Sequence, residues 1–250
     1  AELMRENNFS LLAPLKLLLK SEHFFDQSFY NTLIKSPLEF TFSMYKEFDL
    51  FNGELRIWIQ EENKEYYYSD GERPDLFPQK LVDEISRSYF FFSNLYWNVG
   101  DQGLRLFEPP SVSGWPAYYQ APVYDLFWVN SVTVKKRKQT SESATRWGVW
   151  LENGVHIRFN LKNYLDTFES PNNLETLLTE MQERFLGAPI PERAKGRIKS
   201  SVLGDKNDQY WNQLVDAYLD DPTIDNRNQL NWRLEQLLYQ FFELAEIHLM

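Results

Sequence analysis

The residue types that most often carry chemistry occur in this sequence, but not at spacings that would let them act together. Its three histidines, His23, His156 and His248, lie on separate segments with no HxxxH or HxH pattern, so no metal site is expected. Cysteine is absent, which removes disulfides, thiolate ligands and cysteine nucleophiles in one step. GxSxG does not occur, and the serines of "SVSGW" sit in a proline-bounded turn rather than at a strand-to-helix elbow. Neither GxxxxGK(S/T) nor GxGxxG is present to cradle a phosphate, and no cofactor is expected. Acidic pairs such as Glu61 with Glu62 could flank a scissile bond only at separations that a sequence does not show. Asp220 and Asp221 read more simply as a helix end before Pro222.

The densest stretch is "LFEPPSVSGWPAYYQAP", residues 106 to 122. Pro109 and Pro110 forbid helix and bias Glu108 to extended backbone, Gly114 permits close approach, and Trp115 before Pro116 is pushed extended as well. The stretch reads as a stiff corner between two helices, with Trp115 plugging the core. It is also where a binding site is most readily placed, with Glu108, Trp115, Tyr118, Tyr119, Asp125 and Trp128 as candidates. Glu108 and Asp125 are the carboxylates a hydrolase would use there. A second aromatic run, Tyr66, Tyr67 and Tyr68, reads as packing rather than display.

The elements that must position these groups are mostly helical. Leu11, Leu12, Leu15, Leu18 and Leu19 recur at helical spacing and predict a core-facing stripe. Ser36, Pro37 and Glu39 form a capping-box signature that opens a helix with Leu38, Phe42, Tyr45 and Phe48 on its apolar side. Residues 52–77 read as a loop with at most one short strand, in which Leu55, Ile57 and Ile59 alternate. From Pro78 a long helix is expected to bury Leu81, Ile85, Tyr89, Phe92 and Tyr96 and to stop at Gly100. Another is expected to run from Pro122 to a basic C-terminal run, Lys135 to Lys138, favoured there by the helix dipole.

One hairpin is evident in "TRWGVWLENGVHIRF". A three-residue loop of Glu152, Asn153 and Gly154 pairs Leu151 with Val155, Val149 with Ile157 and Trp147 with Phe159, giving one wholly apolar face. A two-residue Asn153–Gly154 turn would mix the faces. Trp150 and His156 then share the outer face. Helical stripes follow, among them Leu174, Leu177, Leu178, Met181 and Phe185, then Leu230, Leu234, Leu237, Leu238, Phe241 and Phe242. The expected fold is mainly α: one irregular multi-helix domain over residues 1–250, with long Pro-rich connecting loops and one small antiparallel β-hairpin appended at about 145–160.

At 250 residues and 43% apolar content the chain is long enough for a core without staples. Its formal charge of −10 is spread along the chain, which argues against nucleic acid as a partner. No apolar run reaches the roughly 18 residues needed to cross a bilayer. Composition leaves the compartment open. The abrupt opening, "AELMRENNFSLLAPLKLLLKS", raises the expectation that the chain is part of something longer.

Four of these stretches resemble a bacterial domain-of-unknown-function family, numbered eighteen hundred. "LLKSEHFFD" at 18–26 is similar to its LLxSxxFFD element and "IKSPLEF" at 34–40 to its KxPLE element. "GLRLFEPPSVSGWP" at 103–116 resembles its Gly-x-x-x-Phe-x-Pro-Pro run leading to Val-x-Gly-Trp-Pro, and "FWVNSVTVKKR" at 127–137 its Trp-x-Asn helix. The resemblance implies that the chain is a C-terminal half, with one face packed against a missing N-terminal half. It also implies an envelope, periplasmic or secreted setting, since members commonly carry export signals. The family brings no assigned reaction. The reading that follows is a non-catalytic exported binding or scaffold module recognising a partner protein or glycan. The alternative is a hydrolase of a polysaccharide, sulfated or peptide substrate.

Overall fold

The computed structural model describes residues 2–29, 31–109, 111–112 and 128–249. Helices α1 (Glu2–Glu6) and α2 (Leu12–Leu19) lead to α3 (Pro37–Glu47), then to strands β1 (Glu54–Ile59) and β2 (Lys64–Tyr67). The single turn α4 (Gln79–Val82) precedes α5 (Glu84–Asp101), and α6 (Ser131–Glu142) runs through a π-helical turn, Ser143–Trp147, into β3 (Val149–Glu152) and β4 (Val155–Arg158). Helices α7 (Leu161–Leu165), α8 (Leu174–Phe185), α9 (Glu192–Leu203), α10 (Asp208–Asp220) and α11 (Ile224–Phe242) complete the fold. It is mainly α, as expected.

The capping box forms as read: Glu39 N–H donates to Ser36 Oγ at 3.2 Å and Ser36 N–H to Glu39 Oε2 at 2.8 Å. The stripes of α8 and α11 are buried in full. Rings of Phe48, Phe159, Tyr164, Phe185 and Phe242 stack around one another where α3, β4, α7, α8 and α11 converge.

Several expectations are corrected. The segment 52–77 holds two strands, not one at most, and the small antiparallel element is a four-stranded sheet of order β2-β1-β4-β3. Its polar residues Arg56, Glu65 and Tyr67 look like loop in sequence because they pair with one another on the outer face. The Asn153–Gly154 turn is the two-residue one, with both residues at positive φ as a type I′ turn needs, and Glu152 faces Val155. A bulge between Trp150 and Glu152 then restores Val149 opposite Ile157 and Trp150 opposite His156. Trp147 is in the π-helical turn rather than paired with Phe159. The basic run is mid-helix, because α6 continues to Glu142. Its cations serve separate contacts: Lys136 with Asp101, Lys138 with Glu243, and a fully buried Arg137 donating to the Lys35 carbonyl at 2.7 Å.

The expected stripes of α2 and α5 face outward, whereas α3 buries Tyr45 and the adjoining Phe48 as read. All five leucines of the 11–19 stripe are exposed, as is Phe42 of α3. On α5 the inward face is Phe91, Leu95 and Val99, whereas Ile85 is 81% exposed, Tyr89 71% and Phe92 52%. Helical periodicity is satisfied by both faces, and the packing of α5 against α3 and β3 selects the other one.

Gly148, at φ +85°, lets the chain pass from the π-helical turn into β3 against β4. A Cβ there would lie 2.7 Å from His156 Cδ2 and 2.9 Å from the Ile157 carbonyl oxygen. Gly148→Ala therefore lowers stability by about 2–3 kcal/mol in thermal denaturation. Gly196→Ala, mid-helix in α9 with open space around it, raises it by about 0.5–1 kcal/mol.

Candidate functional site

The alternation of β1 and β4 puts Leu55, Ile57, Val155 and Ile157 on the core side and Arg56, Trp58, His156 and Arg158 on the other. Register then assembles a polar layer. Arg56 faces Tyr67 on one side and His156 on the other, and His156 faces Trp150, so one row crosses all four strands. Arg56 is 1% exposed; it donates to Glu54 Oε2 at 3.1 Å and Glu65 Oε2 at 3.4 Å and stacks on the Tyr67 ring at 4.3 Å. His156 Nε2 donates to Glu65 Oε1 at 3.3 Å, and its ring lies 5.4 Å from that of Trp150. Helix α11 closes the layer: Arg158 donates to Glu235 Oε1 at 2.5 Å, and Arg227 stacks on the far side of the row against Tyr67 at 4.6 Å.

Above this floor opens a concavity of about 600 Å³. Its rim carries Trp58, Trp147 and Trp150, each about half exposed, with the Arg146 guanidinium 4.7 Å over the Trp147 ring. Half-exposed indoles over a fixed charged floor offer flat apolar faces beside directed hydrogen-bonding groups. Such a combination is suited to holding and orienting a small polar ligand.

Burial pushes the Glu65 carboxyl up, but the His156 hydrogen bond and the charges of Arg56 and Arg158 outweigh it and hold the group at about 2. Glu65 is therefore a carboxylate at any working pH and has no proton to donate. Among the described residues no group of three or more His, Asp or Glu side chains is placed to hold a metal ion.

Of the residues singled out around the Pro-rich corner, the two that are described, Glu108 and Trp128, do not line this cleft. Trp115, Tyr118, Tyr119 and Asp125 lie outside the described residues. Trp128 is buried. Glu108 is exposed and already engaged: its Oε1 accepts from Tyr96 Oη at 2.9 Å and its Oε2 from Arg105 at 3.3 Å, which together lower its carboxyl below the ordinary value. Of the cleft's groups, the pairing of Trp150 with His156 on the hairpin's outer face is legible in sequence. Trp58 and Glu65 are signalled only by an alternation that continues through an apparent loop, and Glu235 by nothing local.

Fold and cleft together define a helical domain built around a short antiparallel sheet, whose polar outer layer opens to solvent between tryptophans. No curated protein and no solved structure matches the chain. It belongs to the family described as Protein of unknown function (DUF1800), which it matches over residues 1–225.

Two groups withdrawn from water contribute to the acid limb of stability. Burial, together with the Arg137 and Lys35 charges, pushes His248 down to about 4, below its ordinary 6.5, so the stability it contributes is present above pH 6.5 and is lost as pH falls towards 4. Glu65, depressed from 4.5 to about 2, contributes on the order of 3 kcal/mol that is present above pH 4.5 and is lost as pH falls towards 2. In denaturant titrations between pH 7 and pH 2, Glu65→Gln removes the lower step and leaves the upper one.

Proposed function

We propose that this protein is a non-catalytic binding module that recognises a saccharide in the tryptophan-rimmed cleft of its sheet. The observation that carries the reading is the set of three half-exposed indoles, Trp58, Trp147 and Trp150, above an ion-paired floor. A pyranose ring has an apolar C–H face and a rim of hydroxyls. An indole takes the face, and carboxylates, guanidinium groups and imidazole take the hydroxyls. An exported setting, which the family resemblance implies, suits such a ligand. Hydrolysis is disfavoured by the carboxylates themselves. A glycosidase needs one carboxyl raised to act as an acid, whereas Glu65 and Glu108 are both lowered. Isothermal titration with neutral oligosaccharides checks the reading: Trp58→Ala and Trp150→Ala each weaken binding at least tenfold, about 1.4 kcal/mol, with unchanged melting curves. Retention of full affinity in both variants removes the cleft from consideration.

The outward stripe Ile85, Tyr89 and Phe92, with the exposed leucines of α2, favours a second role for a different surface. We propose that it is the seam against further chain of the same protein, the missing half that the family resemblance implies. Exposed apolar side chains gathered on one helix face in this way mark an interface rather than a free surface. Ile85→Lys with Phe92→Lys reduces self-association and dye binding of the 250-residue chain in light scattering and fluorescence. An unsubstituted chain that is already monomeric and dye-silent counts against the seam.

A further inference from the structure

The cleft does not end at Trp58. A second concavity of about 430 Å³ continues on the β2 side, and Trp58 and Glu65 line both. We propose that the two form one groove with two subsites for an uncharged linear oligosaccharide, with Trp58 as the platform shared between neighbouring sugar units. The inference rests on the saccharide reading above and adds the length and charge of the ligand.

Length follows from the sheet. The row Tyr67, Arg56, His156, Trp150 crosses four strands, and strands lie about 4.8 Å apart, so the row measures about 14 Å. That exceeds one pyranose and accommodates a short run of them. The wall on the β2 side comes from the first two turns of α11. There the Ile224 side chain is 48% exposed, and the amide of Asn228 makes no hydrogen bond within the described chain. An apolar side chain beside an unpaired amide repeats, at the second subsite, the pairing of apolar face and polar group found at the first.

Charge follows from the lining. Lys64, Arg146 and Arg158 face four carboxylates, Glu65, Asp70, Glu72 and Glu235, across the two concavities, and the whole chain carries −10. An acidic polymer would meet no surplus of cations. The floor groups are also paired: Glu65 holds Arg56 and His156, and Glu235 holds Arg158, so a ligand meets a surface already arranged and bonds to the positions these pairs leave open.

Isothermal titration of the intact chain with cello-oligosaccharides and chito-oligosaccharides of two to six units, and with oligogalacturonates of equal lengths, tests both parts. Affinity for a neutral series rises at least tenfold from the disaccharide to the tetrasaccharide and then levels. Asn228→Ala, an exposed position that leaves the melting curve unchanged, removes most of that rise while the disaccharide affinity stays within twofold. Oligogalacturonates bind at least tenfold more weakly than neutral chains. Equal affinity for disaccharide and tetrasaccharide overturns the two-subsite groove and leaves the single cleft standing. Tighter binding of the acidic series overturns the charge assignment. Binding of none of these saccharides overturns the groove and the saccharide reading together.

Discussion

A buried guanidinium without a carboxylate is costly, and Arg56, 1% exposed at the centre of the sheet, makes that cost a structural constraint. Removing one partner from a buried pair of this kind costs about 3–5 kcal/mol. Glu54 and Glu65 therefore have to be where they are, which fixes β1 against β2. Glu65 in turn takes the His156 N–H, which fixes β4. Arg158 beside them takes Glu235, which brings α11 across from the far end of the chain. Two hairpins distant in sequence and one helix are thus held by two adjacent sets of charge-assisted contacts, Arg56–Glu65–His156 and Arg158–Glu235. The cleft is the place where that layer reaches water.

Arg137 shows the opposite solution. It is fully buried, its one hydrogen bond goes to the Lys35 carbonyl, and it lies 4.9 Å over the Phe40 ring with no carboxylate among its described contacts. Burial lowers its affinity for the proton to about 10. Lys35 beside it spends its ammonium on the carbonyls of Phe185 and Ile247. Carbonyl dipoles and an aromatic face replace counter-ions here, and the arrangement ties α6 to the segment before α3 and to the C-terminal end of the chain. The two arginines are buried in opposite ways, one among carboxylates and one without them.

How much of this was legible depended on whether a residue's partner was local. The cap at Ser36 and the stripes of α8 and α11 read correctly, because capping is a contact between near neighbours and those stripes face the chain's own core. The α2 and α5 stripes have the same periodicity and the reverse outcome. Spacing shows that a helix has an apolar face, not what lies against it. Arg56, Glu65 and Tyr67 look like loop polarity because their complementarity exists only after β1 and β2 pair. The cleft was half visible, in the Trp150 and His156 pairing of the hairpin. Glu235 needed a tertiary contact that no local pattern encodes.

The bulge in β3 has a consequence for which changes of chain length this protein can absorb. With the Asn153–Gly154 turn alone, Trp150 would face Ile157 and point into the core; one surplus residue, Leu151, turns it out to the cleft. Deleting that residue costs a leucine contact yet leaves every later pairing in place. Deleting one from the facing strand instead rotates His156 and Arg158 inward and strands their polar groups in the core. The two strands of one hairpin thus differ in their tolerance of insertions and deletions. Drift in length is filtered on one side of a turn and permitted on the other.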